Sequence, residues 1–581
     1  MTSRPKSKST SKSKSKAKPN GPKRATAAIL NAITKPLTPY PTTTPPSRVH
    51  PSSYHYPLLL DHVASSDALL SWFAGIEEKR SMPWRKVWID PERFEGSNDE
   101  LDEVLATRAY EVWVSEIMLQ QTRVSTVIPY FNTWISKWPT IHSLATASHD
   151  DVLAAWKGLG YYSRATRLHQ GAQAMASQNP SGCPIPRKAE DLMKFPGIGR
   201  YTAGAVSSIA FGEAEPVLDG NVVRVLSRQL GIFADGKDKK VNDALWEVAD
   251  LLVKSVAVGT GKGRSKVPGQ WNQAVMELGS TVCTPRPKCD ECPIQRTCRA
   301  YAEGKVLGGK KGMDIKVPDI EDACTLCEQL DTEDLVTAAE QDEEEEVSEK
   351  QSKKRKVEAK VTNTISQYFA VKTPKRKTTT DTDIEDDTEV DVSASNGAKR
   401  KSPATDTTSK SVITYCSLFP KKIPKKKPAE EECLVCIIEL QSPSTSKWLI
   451  EQRPAKGLLA SLWQFPQHPL PTTPASDTPG TRKSSAQKCI SSLDIGDVDM
   501  REATHVAELG NLVHVFSHLR LTMHVQHFRI SQDKETTKQR PRENTTPGLP
   551  ARKWVDTDAM DGETLSTGMR RCWGLVVQNS V

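Results

Sequence analysis

Four cysteines crowd into sixteen positions as Cys283-x5-Cys289-x2-Cys292-x5-Cys298. Thiolates at this density enclose a zinc ion or a [4Fe–4S] cluster. A structural zinc site usually comes as two close pairs with a longer gap. Gaps of five, two and five make one compact loop, which suits a cubane better. Arg286, Lys288, Arg296 and Arg299 lie in or beside that loop, and a rigid loop would present them to phosphates.

A second signal is Leu192-Met193-Lys194-Phe195-Pro196-Gly197-Ile198-Gly199-Arg200-Tyr201-Thr202-Ala203. A helix stops at Pro196-Gly197, turns through two glycines and restarts near Tyr201. The N–H groups that open the next helix can bind a phosphate. This is the pattern of a helix-hairpin-helix. Twenty residues beyond Gly199 stands Asp219, in Leu218-Asp219-Gly220-Asn221-Val222, where the positive end of a starting helix would keep it ionised. Glu116 lies among Val112, Trp113, Ile117 and Met118 on a predicted helix, and apolar surroundings let a carboxyl hold its proton near neutral pH. Taken singly, Glu116 would read as a surface carboxylate and Asp219 as a helix cap.

These residues need elements to position them. From about Leu69 to Ala300 apolar residues recur at helical spacing (Val152, Leu153, Trp156; Ala203, Val206, Ile209), punctuated by Pro139, Gly158, Pro180, Pro196 and Gly212. The region reads as almost wholly helical, with an insertion-like polar stretch at 90–107. From Cys433 onward the pattern becomes strand-like: Leu434 to Leu440, Lys447 to Ile450, Val513 to Val515 and Leu521 to Ile530, with polar loops at 467–485 and 531–551.

The 581 residues are 37% hydrophobic and 6% aromatic, with a mean hydropathy of -0.51. Part of such a chain cannot form a packed core. No stretch approaches ~20 consecutive apolar residues, so a membrane-spanning helix is excluded. The net charge of +8 hides asymmetry: residues 1–60 hold no Asp or Glu, whereas Asp342 to Glu346 is an acidic run. Twelve cysteines are too sparse for a disulfide scaffold. The reading is of a multidomain chain. It has a disordered basic arm (1–60), an all-α helix-hairpin-helix domain with a metal-binding loop (61–304), a long disordered connector (305–430) and a C-terminal α+β domain (431–581). Basic clusters at 353–356, 399–401 and 421–427 suggest a nuclear location; the Ser-rich N-terminus leaves a mitochondrial share open. The chain is expected to be a monomer.

Arg108-Ala109-Tyr110-Glu111-Val112-Trp113-Val114-Ser115-Glu116-Ile117-Met118-Leu119-Gln120-Gln121-Thr122 and Trp156-Lys157-Gly158-Leu159-Gly160-Tyr161-Tyr162-Ser163-Arg164-Ala165 closely resemble two signatures of the helix-hairpin-helix DNA glycosylases with an iron–sulfur cluster. Within that superfamily the chain is similar to the adenine DNA glycosylase (MutY) family, over about 70–304 and 430–581. The resemblance implies a [4Fe–4S] cluster on the four cysteines. It implies double-stranded DNA with adenine opposite 8-oxoguanine or guanine as substrate, and base excision after the base is flipped out. Glu116 would protonate the adenine N7 and later assist the water, and Asp219 would stabilise the cationic sugar. Bifunctional relatives carry a lysine nucleophile just after the hairpin; Tyr201 stands there, which implies a monofunctional enzyme.

By the same resemblance Gln121 and Tyr161 contact the mispair, and Gln120 is a DNA-binding residue. Gly197, Gly199 and Tyr201 belong to the DNA-binding hairpin, and Arg85, Asn221 and Gln273 line the adenine site. Gln452 to Pro466 looks like the family's C-terminal domain, a relative of nudix hydrolases; no Glu-rich metal-binding box follows Phe465. Phe516, Ser517 and His518 match the loop that recognises 8-oxoguanine. Cys324-x2-Cys327 resembles a zinc-binding pair in the connector of animal relatives, but Ser227 stands where a further cysteine is expected. The first gap of the cluster motif is five residues where the family usually has six. Thr362-x2-Ile365-x2-Tyr368-Phe369 resembles a sliding-clamp-binding box whose leading Gln is replaced, with Ile365, Tyr368 and Phe369 as anchors. Two other readings compete: a glycosylase/lyase for oxidised pyrimidines, against which Tyr201 and the C-terminal domain argue, and a non-catalytic lesion-binding scaffold, against which Glu116 and Asp219 argue.

Overall fold

The structure is a computed structural model. It describes residues 31, 33–34, 50–178, 184–258, 264–308, 324–328, 405–423, 427–443, 445–454, 457, 459–470, 478–495, 498–516, 518–531 and 550–579. Ser517 and the clamp-box residues Ile365, Tyr368 and Phe369 lie outside them. In chain order the helices before the connector are α1 (Val63–Arg80), α2 (Asn98–Leu119), α3 (Val124–Lys137), α4 (Ile141–Ala145), α5 (His149–Ala155), α6 (Ser163–Gln178), α7 (Ala189–Leu192), α8 (Arg200–Phe211), α9 (Gly220–Leu230), α10 (Lys239–Val258), α11 (Lys266–Thr281) and α12 (Arg299–Gly308). The chain divides into two compact units. One comprises Met1–Phe73, Leu218–Leu252 and Gln273–Lys422, and the other Ala74–Val217, Val253–Asn272 and Ile423–Val581.

Helix α2 organises the helical part of the second unit. Ser97 opens it with a capping box: its hydroxyl accepts from the Glu100 N–H, and the Glu100 carboxylate accepts from the Ser97 N–H. The polar stretch read as an insertion therefore supplies, from Asn98 on, the first turns of this helix. From Arg108 to Met118 every residue is buried. A helix enclosed on all sides must meet its own buried charges with partners. Arg108 Nη1 donates to the Trp84 carbonyl at 2.5 Å, and Glu111 accepts from Lys86 Nζ at 2.5 Å. Gly204 on α8 allows a close backbone approach: a Cβ there would meet the Pro216 carbonyl oxygen at 2.1 Å.

In the first unit, residues 50–60, assigned above to the N-terminal arm, form two 3-10 turns with Tyr54, His55, Tyr56 and Leu59 buried. The correction has a physical cause: aromatic rings find a core that lies far away in sequence. Tyr54 donates to Glu303 Oε1 at 2.8 Å. Residues Thr405–Ser417, assigned to the connector, form helix α13. Val412, Tyr415, Cys416, Leu418 and Phe419 pack with Phe233 and Ala300, and Tyr415 donates to Glu303 Oε2 at 2.5 Å.

The C-terminal domain, within the second unit, is a sheet of β1 (Ala429–Gln441), β2 (Ser446–Gln452), β3 (Trp463–Gln464), β4 (Gln467–Leu470), β5 (Thr504–Val515), β6 (Leu519–Ser531) and β7 (Arg552–Asp556) with α14 (Pro479–Ser491) and α15 (Thr567–Asn579). The strand order is β3-β2-β1-β6-β5, with β4 on β1 and β7 on β2. Strands β1 and β6 run parallel; the other pairs are antiparallel. Strand β1 is buried on both faces. Cys433, Val435 and Ile437 pack with Met569, Cys572 and Trp573 of α15, while Leu434, Cys436 and Ile438 pack with Ala486 and Ile490 of α14. Of the polar loop expected at 467–485, residues 467–470 are strand β4 and 479–485 begin α14. Helix α14 has no acidic residue.

Candidate active site

Glu116 lies near the end of α2, 8% exposed, and its Oε2 accepts a hydrogen bond of 2.6 Å from the Tyr201 hydroxyl. Tyr201 is the second residue of α8, so the hairpin that ends at Gly199 delivers a phenol, not an amine, to this carboxyl. In the hairpin Gly197 adopts φ +81°, and a Cβ there would meet the Arg167 Cβ at 2.9 Å, so only glycine fits. Gly199 is the N-cap of α8 and is exposed; a Cβ there would meet no protein atom within 4 Å. The protein thus leaves room beside the start of α8, where a phosphate could approach its first N–H groups.

Gln120 is the C-cap of α2, half-buried, and Gln121 follows with φ +56°. Tyr161 has φ +49° and is 56% exposed, so its ring is not spent on helix packing. Two non-glycine residues in left-handed conformation cost strain, which the surroundings must offset. One buried guanidinium supplies the restraint. Arg164 Nη1 donates to the carbonyls of Ile117, Met118 and Gln120 at 2.8, 3.0 and 2.6 Å, and Nη2 to those of Leu159 and Gly160 and to the Thr122 hydroxyl at 3.2, 3.1 and 3.3 Å. Burial pulls its pKa down to about 10, still high enough to leave it charged.

Asp219 caps α9. Its Oδ1 accepts from the Val222 N–H at 2.7 Å and its Oδ2 from Asn221 Nδ2 at 2.9 Å. Burial dominates and pushes its pKa above the ordinary aspartate value; the N–H groups of Val222 and Asn221 and the charge of Arg224 pull the other way. The helix end therefore acts in the expected sense, while desolvation works against it. Arg224 joins this carboxylate to the cysteine loop: Nη2 donates to Asn221 Oδ1 at 2.9 Å and to the Gly279 carbonyl at 2.5 Å, and Nε to the Cys283 carbonyl at 2.8 Å. A Cβ on Gly279 would meet Asn221 Cβ at 2.8 Å. Arg85 and Gln273 are both half-buried, Gln273 on α11.

Cys283, Cys289, Cys292 and Cys298 line one small cavity, together with Val225, Leu278 and Val282. Burial pushes the Cys292 thiol up to about 12 and Cys298 well above its usual value. Sulfurs that cannot ionise alone suit a cationic metal centre, which supplies the missing charge. Arg228, 2% exposed, closes the loop: it donates to Cys283 Sγ at 3.3 Å and to the carbonyls of Thr284 and Pro285 at 2.6 and 2.7 Å. Lys288 and Arg296 are exposed and Arg286 is half-buried. Arg299 is buried over the Tyr54 ring and donates to the Tyr56 carbonyl at 3.2 Å, so it is not offered to phosphates.

Residues 114–250 match the family model of the HhH-GPD superfamily base excision DNA repair proteins, and residues 437–575 that of the NUDIX domain. A solved thermostable thymine-DNA glycosylase is similar at 24% identity and a TM-score of 0.32, over 40% of this chain and 93% of that one. The adenine DNA glycosylase of Schizosaccharomyces pombe is 34% identical over 466 residues, 79% of this chain and 81% of that one. The human adenine DNA glycosylase is 34% identical over 538 residues, 90% of this chain and 75% of that one. This chain belongs to the adenine DNA glycosylase family. It is a base-excision-repair enzyme that acts on DNA, and its helical domain carries Glu116 and Asp219.

The glycosylase has a second group of metal-ligating side chains. His50, His55, Cys324 and Cys327 bring their ligand atoms within 4.8 Å of one another. His55 Nε2 lies 3.2 Å from Cys324 Sγ, 3.4 Å from Cys327 Sγ and 3.1 Å from His50 Nε2. A tetrahedral zinc with bonds of about 2.0 Å to nitrogen and 2.3 Å to sulfur has edges of roughly 3.3–3.8 Å, close to these separations. His55 Nδ1 faces the Leu230 carbonyl at 2.8 Å, which reserves Nε2 for the metal. Ser227 is fully buried on α9 and takes no part. Sequence reading missed the two histidines because nearly 270 residues separate them from the cysteines.

In the C-terminal domain Phe516 and His518 stand in the turn between β5 and β6, which closes through Phe516 N–H to the Leu519 carbonyl at 2.7 Å. His518 is exposed; Phe516 is half-buried with its ring 4.4 Å from that of His514. Arg164, the other residue missed, carried a signal: an arginine in a helical run where burial demands partners. Replacing it with Met takes a donor from five carbonyls, of which those of Gln120 and Gly160 keep another side-chain donor, the Thr122 hydroxyl and Trp156 Nε1, and should cost about 2–3 kcal/mol, seen as a lower melting temperature. DNA affinity should fall at least tenfold, since Gln121 and Tyr161 lose their common anchor. A variant with wild-type melting and affinity would refute this role.

Proposed function

We propose that this adenine DNA glycosylase removes adenine paired with 8-oxoguanine, and more slowly with guanine, by hydrolysis without strand cleavage. The observation that carries the mechanism is the Tyr201–Glu116 hydrogen bond. Tyr201 occupies the position of the lyase lysine in bifunctional relatives, so no amine is available there to form a Schiff base. Its O–H makes Oε2 of Glu116 an acceptor, and the other carboxyl oxygen then carries the proton. That proton goes to N7 of the flipped adenine as the C1′–N9 bond breaks, N9 keeping the bonding electrons. Asp219, as a carboxylate, stabilises the positive sugar. Water adds to C1′ and returns a proton to Glu116. The four loop cysteines fit a [4Fe–4S] cluster, which when bound would hold the loop rigid. Lesion recognition by Phe516, Ser517 and His518 is supported by their family resemblance and by the exposed turn that carries Phe516 and His518. Clamp binding through Ile365, Tyr368 and Phe369 and a nuclear location rest on the sequence.

Glu116→Gln should abolish base release, by more than 100-fold, while leaving mispair affinity within about threefold. Duplexes with adenine opposite 8-oxoguanine, guanine and thymine should be cut in that order, and strand breaks should appear only after alkali. Excision at wild-type rate by the variant would overturn the role of Glu116; nicking without alkali would favour a lyase.

Asp219 must be ionised to act, and burial raises its pKa. The acid limb of the single-turnover rate should therefore lie above the ordinary aspartate range, with activity lost as pH falls through it. Asn221→Ala removes a donor to the carboxylate and should move that limb to higher pH. An unmoved limb would refute the assignment.

We further propose that His50, His55, Cys324 and Cys327 bind zinc. The purified protein should contain one zinc per chain in addition to iron, and His55→Ala should lose the zinc with the iron retained. Equal zinc in both proteins would refute the site.

A further inference from the structure

A fifth sulfur belongs to the cysteine cavity and has no part in the mechanism above. Cys416, on α13, lines the same cavity as Cys283, Cys289, Cys292 and Cys298. It is 1% exposed, and Cys289 and Cys298 pack against the buried cluster to which it belongs. The contact is held in place by packing. Phe419 and Tyr415 lie 5.4 Å apart, Phe419 and Phe233 5.6 Å, and Cys289, Cys298 and Tyr301 pack against this cluster. Arg228 ties the end of α13 to the cysteine loop: Nε donates to the carbonyls of Cys416 and Phe419 at 2.8 and 3.2 Å, while Nη1 donates to Cys283 Sγ and the Thr284 carbonyl. Lys421 N–H continues the seal onto the Ala234 carbonyl at 3.0 Å. A segment more than a hundred residues beyond the last loop cysteine is thus built into the cysteine site.

We propose that Cys416 is a thiol donor to the cluster ligand Cys289, brought in by the connector helix, and that it sets the reduction potential and oxidant resistance of the bound cluster. The inference rests on the reading that the four cysteines hold an iron–sulfur cluster. A donor to a ligand sulfur withdraws electron density and favours the more reduced state, and a dry apolar cover slows attack by oxidants. Cys416 itself ligates no iron.

The test uses the full chain with its cluster: wild type, Cys416→Ala, Cys416→Val and Cys416→Ser. Iron per chain and melting temperature establish loading and folding. Midpoint potential on a DNA-modified electrode and the rate of bleaching by ferricyanide are the readouts. The two donor-less variants should load iron but show a lower potential and bleach several-fold faster. Serine, which keeps a donor, should recover most of both values. Donor-less variants with wild-type potential and bleaching would overturn the proposal, as would a serine variant displaced as far as alanine. A half-loaded cluster in the alanine and valine variants, with serine fully loaded, would make Cys416 a ligand-site determinant and overturn the donor role. A wild-type chain that takes up no iron would overturn the cluster reading itself and this inference with it.

Discussion

A carboxyl group withdrawn from water must be met by a donor, and the helical domain is arranged around that requirement. Glu116 is enclosed on α2 and receives its hydrogen bond from Tyr201 on α8. The bond demands that α8 begin at a set point, which the hairpin provides, and that α8 lie close to neighbouring backbone, which Gly204 permits. A lysine after the same hairpin would place a cation and a nucleophile beside the carboxyl and favour its ionised form. The phenol of Tyr201 brings neither a cation nor an amine to that position.

Buried arginines do the work of joining that short loops cannot do for themselves. Arg164 collects the carbonyls of two strained turns, Arg224 links the Asp219–Asn221 pair to the cysteine loop, and Arg228 joins that loop to α13. Each guanidinium offers five donors in a rigid plane, so one side chain satisfies several carbonyls that would otherwise be buried without partners. Two hydrogen bonds of Arg224 and one of Asn221 connect the cysteine loop to Asp219.

Much of this was legible in the chain. Glycine at Gly197 reports a backbone that no other residue tolerates, and the clustered cysteines report ligation, because both constraints act on neighbours in sequence. The apolar run from Leu434 to Leu440 announced a strand, although its burial on both faces awaited the packing of α14 and α15. Polar composition misled at 98–107, where a capping box outweighs the lack of apolar residues, and at 405–417, where a Thr-rich start conceals an apolar end.

What the sequence determined by itself was the chemistry available: two carboxylates, a phenol in place of an amine, a loop of thiols, and a sheet domain without an acidic helix. Only the tertiary structure decided what surrounds each group. It brought His50 and His55 to Cys324 and Cys327, placed Cys416 against Cys289, and raised Asp219 by burial in spite of its helix. Contacts between residues hundreds of positions apart leave no local pattern, and desolvation depends on everything packed around a group rather than on its neighbours in the chain.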